Sequence, residues 1–120
     1  MLHKAITEKI LESSFEVINE LGAGFLESVY EKALLIALKD KGLGVQSQVP
    51  LNVNFREQSV GEFFADIVVN KLVILELKAV KTLLPEHQAQ MINYLKATGA
   101  EVGMLINFGN SKLEYKRLYG

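Results

Sequence analysis

The order of apolar and polar positions predicts three helices. Residues 4–20 and 26–40 place apolar side chains every three or four positions, which is the period of an amphipathic helix. Residues 22–24, Gly-Ala-Gly, interrupt the pattern between them, and residues 41–44, Lys-Gly-Leu-Gly, are typical of a helix C-terminus. A third helix is predicted to open at residues 82–85 and to run to about residue 98, because its proline suits the first helical turn and a glycine follows it.

Five further segments have the patterns of β-strands. Residues 49–55 alternate apolar and polar side chains, as a half-buried strand does. Residues 62–69 and 72–80 are almost continuously apolar, so we expect central strands that are covered on both faces. Residues 102–108 predict another buried strand, and the more polar residues 113–118 predict an edge strand. The resulting order, α-α-β-β-β-α-β-β, predicts an α/β fold with a mixed β-sheet flanked by helices.

The composition is that of one globular domain. The chain has 120 residues, of which 49% are hydrophobic and 22% charged, so it can bury a core without disulfides. The lack of cysteine excludes a disulfide scaffold and a thiolate zinc site. Apolar runs are shorter than the ~20 residues that cross a bilayer, and the first residues do not resemble a signal peptide. We therefore expect residues 1–120 to form a single soluble, cytoplasmic domain that makes no contact with membranes.

Charge is unevenly distributed along the chain. The formal net charge of −1 argues against binding nucleic acid by overall charge. Residues 1–70 contain six Lys and Arg against ten Asp and Glu, whereas residues 71–120 contain seven against four. A polyanion would therefore meet the C-terminal half.

The first predicted helix has an acidic side. Four glutamates follow one another at steps of four residues: Glu8, Glu12, Glu16 and Glu20. This side is either a solvated helix face or a docking stripe for a basic partner, and in both cases it would repel DNA.

Three charged residues interrupt the strands that are predicted to be buried. Asp66 follows Phe-Phe-Ala, and Glu76 and Lys78 lie within a run of Leu, Ile and Val. Charged groups are rarely placed in central strands unless they are paired or bind a metal, because desolvating an unpaired charge costs several kcal/mol. Since Glu76 and Lys78 are two positions apart, they share one face of their strand.

The turn before Glu76 decides whether Asp66 shares that face. A two-residue loop at 70–71 would place Asp66 opposite Leu75, with its side chain on the other face. A three-residue loop at 69–71 would place it opposite Ile74, on the same face as the other two charges. We predict an odd-numbered loop or a bulge at this turn.

Two carboxylates on one face favour a metal site. Their mutual repulsion is relieved by a hard divalent cation such as Mg²⁺ or Mn²⁺, which oxygen ligands prefer. The neighbouring lysine could orient or deprotonate a water molecule that attacks a phosphodiester. The alternative is an ion pair, Glu76–Lys78 or Asp66–Lys78, that has no chemical role.

Several short motifs together resemble a known family. They are Gly24-x-x-Glu27-x-x-Tyr30, Ala65-Asp66-Ile67-Val68-Val69, Glu76-Leu77-Lys78-Ala79-Val80, Gln90-x-x-x-Tyr94-Leu95 and Gly103-Met104-Leu105-Ile106-Asn107-Phe108-Gly109. In this order, from about residue 5 to 118, they resemble the GxxExxY protein family of the PD-(D/E)xK nuclease-like superfamily, to which the RecB-like nucleases also belong. The resemblance implies a restriction-endonuclease-like core: a helix, three antiparallel strands, a helix and a further strand.

The resemblance also implies a metal site. Asp66 resembles the metal-binding aspartate of the second core strand, and Glu76 the acidic residue of the E-x-K pair. Glu27 resembles the acid on a helix that completes the site, and the Leu77 carbonyl is often a further ligand in such proteins. Ala65 stands where the superfamily's nominal motif has proline, a change that many members share.

The remaining site residues implied by the resemblance are Lys78, Gln90 and Tyr94. Lys78 is similar to the lysine of the E-x-K pair, and Gln90 and Tyr94 to the Q-x-x-x-Y element that supports the site or contacts nucleic acid. The leading hypothesis is thus a Mg²⁺- or Mn²⁺-dependent nuclease. The alternative is a catalytically inactive or partner-dependent binding module that retains the fold, and a weaker third hypothesis is a metal hydrolase of a small phosphorylated molecule. A homodimer or a protein partner could complete a nucleic-acid groove.

Overall fold

The fold is one mixed β-sheet with helices on both sides. The computed structural model describes residues 2–120. Its elements are, in chain order, α1 Lys4–Leu21, α2 Glu27–Asp40, β1 Val45–Phe55, β2 Gln58–Val69, β3 Val73–Lys78, α3 Pro85–Thr98, β4 Val102–Asn107 and β5 Glu114–Tyr119. This order and the mixed sheet confirm the prediction from the sequence, including the restriction-endonuclease-like succession of core elements.

The five strands lie in the sheet in the order in which they occur in the chain. All neighbouring strands are antiparallel except β3 and β4, which run parallel and are joined by the crossover helix α3. Both strands of the parallel pair therefore end at the same edge of the sheet. Within residues 2–120, no helix is both long and apolar enough to cross a membrane.

The two faces of the sheet have separate cores. On one face, α1 and α2 contribute Ile10, Tyr30 and Leu34, which pack on alternate strand residues such as Leu75. On the other face, Met91 and Leu95 of α3 pack on Ile74. Because side chains alternate along a strand, the face of Ile74 is also the face of Glu76 and Lys78. Both charged residues of β3 thus point to the α3 side.

One prediction about burial is wrong in part. β3 and β4 are covered on both faces, but β2 is buried only towards its C-terminal end, where every second residue is inaccessible. Its first half pairs with β1 in a hairpin that extends beyond the helices, and Val60 and Phe64 are exposed there. The apolar run in residues 62–69 therefore reflects one covered face and not two.

The turn between β2 and β3 contains three residues, which confirms the odd number. Val69 pairs with Val73, so the loop is 70–72 and not 69–71. This register is displaced by two residues from the predicted one: the last pair is Ile67 with Leu75, so Glu76 and not Ile74 is the residue next in line with Asp66. Asp66 itself lines a pocket with Glu27 and Glu31 of α2, so the even displacement alone does not place it on the α3 side with Glu76 and Lys78.

The conformation of this loop explains the displaced register. Asn70 and Lys71 both adopt left-handed backbone angles, with φ of 51° and 58°. Asparagine tolerates that conformation better than most residues. The Leu72 N–H donates to the Val69 carbonyl at 2.9 Å, and the Gly44 N–H donates to Asn70 Oδ1 at 2.8 Å. The turn is therefore closed one residue later than the sequence pattern indicates.

Candidate active site

Asp66 and Glu76 lie where β2 and β3 separate. The ladder between these strands runs from Val69 and Val73 to Ile67 and Leu75. Beyond Ile67 and Leu75, side-chain carboxylates and not backbone carbonyls accept the hydrogen bonds between the strands. The Leu77 N–H donates to Asp66 Oδ2 at 2.8 Å, and the Asp66 N–H lies 3.4 Å from Glu76 Oε1. The two acids are thus held side by side by the backbone of the opposite strand.

Glu76 is a buried carboxyl group with an unusual pKa. Burial and the negative charge of Asp66 raise the pKa of Glu76 from 4.5 to about 8, against the opposing effects of the Asp66 N–H and the positive charge of Lys78. Ionisation of Glu76 beside the negative charge of Asp66 is therefore unfavourable in the folded chain near neutral pH. A cation between the two carboxylates would favour the ionised form of Glu76.

Lys78 lies next to this pair without being bound by it. Its side chain is partly exposed on the α3 side of the sheet, and its charge acts on Glu76. Among residues 2–120, the ion pairs formed do not include Lys78. The closed Glu76–Lys78 or Asp66–Lys78 ion pair considered from the sequence is therefore not formed in this part of the chain.

Glu27 is the first residue of α2 and faces the end of β3. Its Oε2 accepts a hydrogen bond from the Ala79 N–H at 3.3 Å, which links the start of the helix to the residue after Lys78. Leu26 occupies the N-cap position, and its side chain makes no capping hydrogen bond. An acid in the first turn is favoured by the helix dipole.

Tyr30 explains the spacing of the glycine, glutamate and tyrosine motif. Its hydroxyl donates to the Gly22 carbonyl at 2.6 Å and accepts from the Phe25 N–H at 3.2 Å, and its ring stacks on Phe108 with centroids 4.9 Å apart. Gly24, between these contacts, has φ of +113°, which side chains rarely permit. The buried tyrosine thus fixes the loop that places Glu27.

Two residues of the site were not found from the sequence. Gln48 Nε2 donates to Glu31 Oε1 at 2.7 Å and lies 3.4 Å from Asp66 Oδ1, so it bridges α2 and β2. Burial and, to a smaller extent, Asp66 raise the pKa of Glu31, while the bond from Gln48 opposes them. The four-residue step from Glu27 to Glu31 was a signal, because such residues share a helix face. Gln48 gave no signal.

These side chains enclose a small polar pocket between α2 and the sheet. Its volume is about 170 Å³, and its lining is formed by Glu27, Ser28, Glu31, Gln48, Asp66 and Leu77. The lining offers carboxylate oxygens, which suit Mg²⁺ or Mn²⁺. Within residues 2–120, no three acidic or histidine side chains are close enough to form a complete metal site. Asp66 and Glu76 are brought together, whereas Glu27 bonds to the backbone.

Tyr94 and Gln90 both lie on α3. Tyr94 stacks on Phe63, with centroids 3.6 Å apart. Burial raises the pKa of Tyr94, and the charges of Glu76 and Asp66 raise it further, so the phenol lies near the carboxylate pair. Gln90, one helical turn earlier, is exposed.

Asn107 holds the chain segment that follows Lys78. It is fully buried at the end of β4, its Oδ1 accepts from the Val80 N–H at 3.0 Å, and its Nδ2 donates to the Val80 carbonyl at 2.9 Å. The Phe108 N–H also donates to the Lys78 carbonyl at 2.8 Å. The end of β3 is therefore fixed by Glu27 on one side and by β4 on the other.

Comparison with solved structures supports the same architecture. The crystal structure of SSO0001 is similar to this chain with a TM-score of 0.62 at 18% sequence identity, over 96% of this chain and 61% of that one. At this identity the likeness is one of fold, and the chain spans 61% of the length of that structure. No curated protein matches the sequence significantly.

A family model gives a more specific result. The model of the PD-(D/E)XK nuclease superfamily matches residues 4–118, which include all eight helices and strands except the last residue of β5. The acidic residues of the separated strands, Asp66 and Glu76, and Lys78 two positions later lie within this match. The chain therefore belongs to the PD-(D/E)XK nuclease superfamily.

Proposed function

We propose that the protein is a nuclease that hydrolyses phosphodiester bonds of nucleic acid with the help of Mg²⁺ or Mn²⁺. One observation carries the proposal: two carboxylates, Asp66 and Glu76, are held side by side where β2 and β3 separate, and the pKa of Glu76 is raised to about 8. Crowded acids of this kind are typical of functional sites, because stability alone would favour an apolar pair.

The metal would be held by Asp66 and Glu76, with Glu27 and the Leu77 carbonyl as further oxygen ligands. Glu27 would exchange its bond to the Ala79 N–H for the cation. The metal would supply positive charge that stabilises the negative charge developing on the phosphate.

The chain's own residues would orient the reacting groups. Lys78, which forms no ion pair within the described chain, would orient the attacking water or, in its neutral form, take up its proton. Tyr94 would line the site beside the carboxylates, and Gln90 would contact the nucleic acid from the exposed side of α3. The water oxygen would bond to phosphorus as the ester oxygen leaves with a proton.

A second candidate is an inactive or partner-dependent module. It is favoured by the lack of a complete three-ligand group within residues 2–120 and by the net charge of −1. In that case a protein partner or a second copy would supply the missing basic surface. Within the superfamily, the motif of Gly24, Glu27 and Tyr30 supports assignment to the GxxExxY group.

Cleavage of labelled DNA and RNA oligonucleotides, single- and double-stranded, would test the proposal. Wild type should cleave at least one of them in Mg²⁺ or Mn²⁺ and none in EDTA. Asp66→Asn and Lys78→Met should each lower the rate roughly 100-fold or more. Glu12→Gln, on the exposed side of α1, is the matched control and should cleave like wild type. Metal-independent cleavage, or equal rates in wild type and Asp66→Asn, would contradict the proposal.

A further inference from the structure

A second depression lies beyond the acidic pocket, between the loop after β3 and the loop that joins β4 to β5. Its volume is about 340 Å³, and its lining consists of Lys81, Thr82, Asn110, Lys112, Leu113 and Glu114. We propose that this depression, the lysine pocket, binds a backbone phosphate of the nucleic acid next to the one that is cleaved. The inference rests on the proposed function and adds a substrate-binding subsite to it.

The topology of the sheet places the lysine pocket beside the candidate active site. β3 and β4 are parallel, with Lys78 opposite Asn107 at their C-terminal ends. Crevices at the carboxyl ends of parallel strands are common ligand sites. Lys81 is three residues beyond Lys78, a separation of at most about 10 Å even if the chain is extended. In a B-form helix each strand carries one phosphate per about 3.4 Å of helix axis, so one strand can reach both places.

Hydrogen bonds and a close packing contact between the two loops fix the backbone positions of the lysines. Asn110 Nδ2 donates to the Lys81 carbonyl, and the Leu83 N–H donates to Glu114 Oε1 at 2.9 Å. Gly109 packs so closely on the other loop that a Cβ there would lie 1.9 Å from the Val80 carbonyl oxygen. The two loops are therefore held together, and a phosphate would meet two lysines whose backbone positions are fixed relative to each other.

The charges of the pocket favour an anion. Lys81 and Lys112 are exposed, and neither takes part in the ion pairs of residues 2–120. The one acid of the lining, Glu114, already accepts hydrogen bonds from the Leu83 N–H and from Asn107 Nδ2 at 3.1 Å. The nucleic acid would have one phosphate at the metal in the acidic pocket and a neighbouring phosphate at the lysines. The positive charge of the lysine pocket suits this arrangement.

Binding of a fluorescent single-stranded oligonucleotide, measured in EDTA at several salt concentrations, tests the lysine pocket. The double variant Lys81→Ala/Lys112→Ala should bind roughly tenfold more weakly than wild type, and its salt slope should fall by about one for each phosphate that is no longer neutralised. The control is Lys9→Ala/Lys39→Ala, which removes two exposed lysines from α1 and α2. It should keep the wild-type salt slope.

A small substrate separates this inference from the proposed function. Bis(p-nitrophenyl) phosphate has one phosphodiester and no neighbouring phosphate, so the lysine-pocket variant should hydrolyse it as wild type does while its KM for oligonucleotides rises. Lysine-dependent binding without any cleavage would support the pocket and contradict the nuclease. The lysine pocket would be overturned by equal losses of oligonucleotide affinity in both double variants, or by the absence of oligonucleotide binding in wild type. It would also be overturned if the lysine-pocket variant lost hydrolysis of bis(p-nitrophenyl) phosphate and of oligonucleotides equally.

Discussion

The Asp66 carboxylate accepts a hydrogen bond from the Leu77 N–H at 2.8 Å, across the point where β2 and β3 separate. A side chain thus replaces a backbone acceptor in the ladder, and the acid is held in the plane of the sheet. The Asp66 N–H lies 3.4 Å from Glu76 Oε1, and the other carboxylate oxygen of Asp66 lies 3.4 Å from Gln48 Nε2. The opening of two strands is therefore what makes room for charged groups within an otherwise apolar sheet.

The buried carboxyl of Glu76 predicts an unusual pH dependence of stability in the metal-free protein. The pKa of Glu76 is about 8 in the folded chain against an ordinary value of 4.5, so the folded state holds a proton that the unfolded state releases. The proton on Glu76 stabilises the folded state fully below the pKa of 4.5 that the group has in the unfolded chain. This stabilisation is lost as pH rises through the folded-state pKa of about 8. The free energy of unfolding should thus decline between these two values.

Glu76→Gln removes this titration and keeps the shape of the side chain. In EDTA, urea denaturation should find the variant more stable than wild type at about pH 8.5, with a smaller difference at about pH 5. Glu12→Gln, on the exposed side of α1, is the control and should show no such trend. A difference that grows towards acid pH would show that the sign is wrong.

Tyr30→Phe tests how the loop before α2 is held. The variant keeps the stack on Phe108 but loses the hydroxyl bond to the Gly22 carbonyl, so we expect a loss of about 1 kcal/mol in the free energy of unfolding. Tyr115→Phe is the matched control, because Tyr115 is exposed and meets Phe15 only edge to face. Equal losses in the two variants, measured by thermal or urea unfolding, would contradict the anchoring role.

The backbone of Gln48 is strained, and two variants at this position can test this. Its φ of 48° lies in the left-handed region, within strand β1. Both Gln48→Gly and Gln48→Ala remove the amide, but only glycine relieves the backbone, so the glycine variant should be more stable by about 1 kcal/mol.

The same pair at Asn52 gives the control for Gln48. Asn52 is exposed on the same strand and is not among the residues with positive φ in the described chain. There the alanine variant should be the more stable one, since glycine loses more conformational freedom. If alanine is also the better residue at position 48 in urea unfolding, the strain is not real.

The fold could be predicted because periodicity and turn residues are local signals. Glu76 and Lys78 stood out as charges within an apolar run, and the even spacing between them fixed a common face. The register of Asp66 was displaced by two residues, since the left-handed angles of Asn70 and Lys71 depend on contacts such as that with Gly44. Only the parity of the turn, not its position, was visible in the sequence.

The positions of Gln48 and Asn107 depend on contacts between segments that are distant in the chain. Gln48 lies 18 positions from Asp66 in the chain, and its left-handed conformation has no local cause in the sequence. Asn107 and Val80, 27 positions apart, meet because β4 lies parallel to β3. Such contacts are set by the tertiary fold, so single-sequence patterns do not indicate them.

Titration of the metal-free protein with Mn²⁺ in a calorimeter tests the central claim most directly, because it needs no assumption about the substrate. Wild type and Glu12→Gln should bind the metal alike, and Asp66→Asn should bind it at least roughly tenfold more weakly. No heat of binding at millimolar metal in wild type, or equal affinity in Asp66→Asn, would contradict the claim that Asp66 and Glu76 hold a divalent cation.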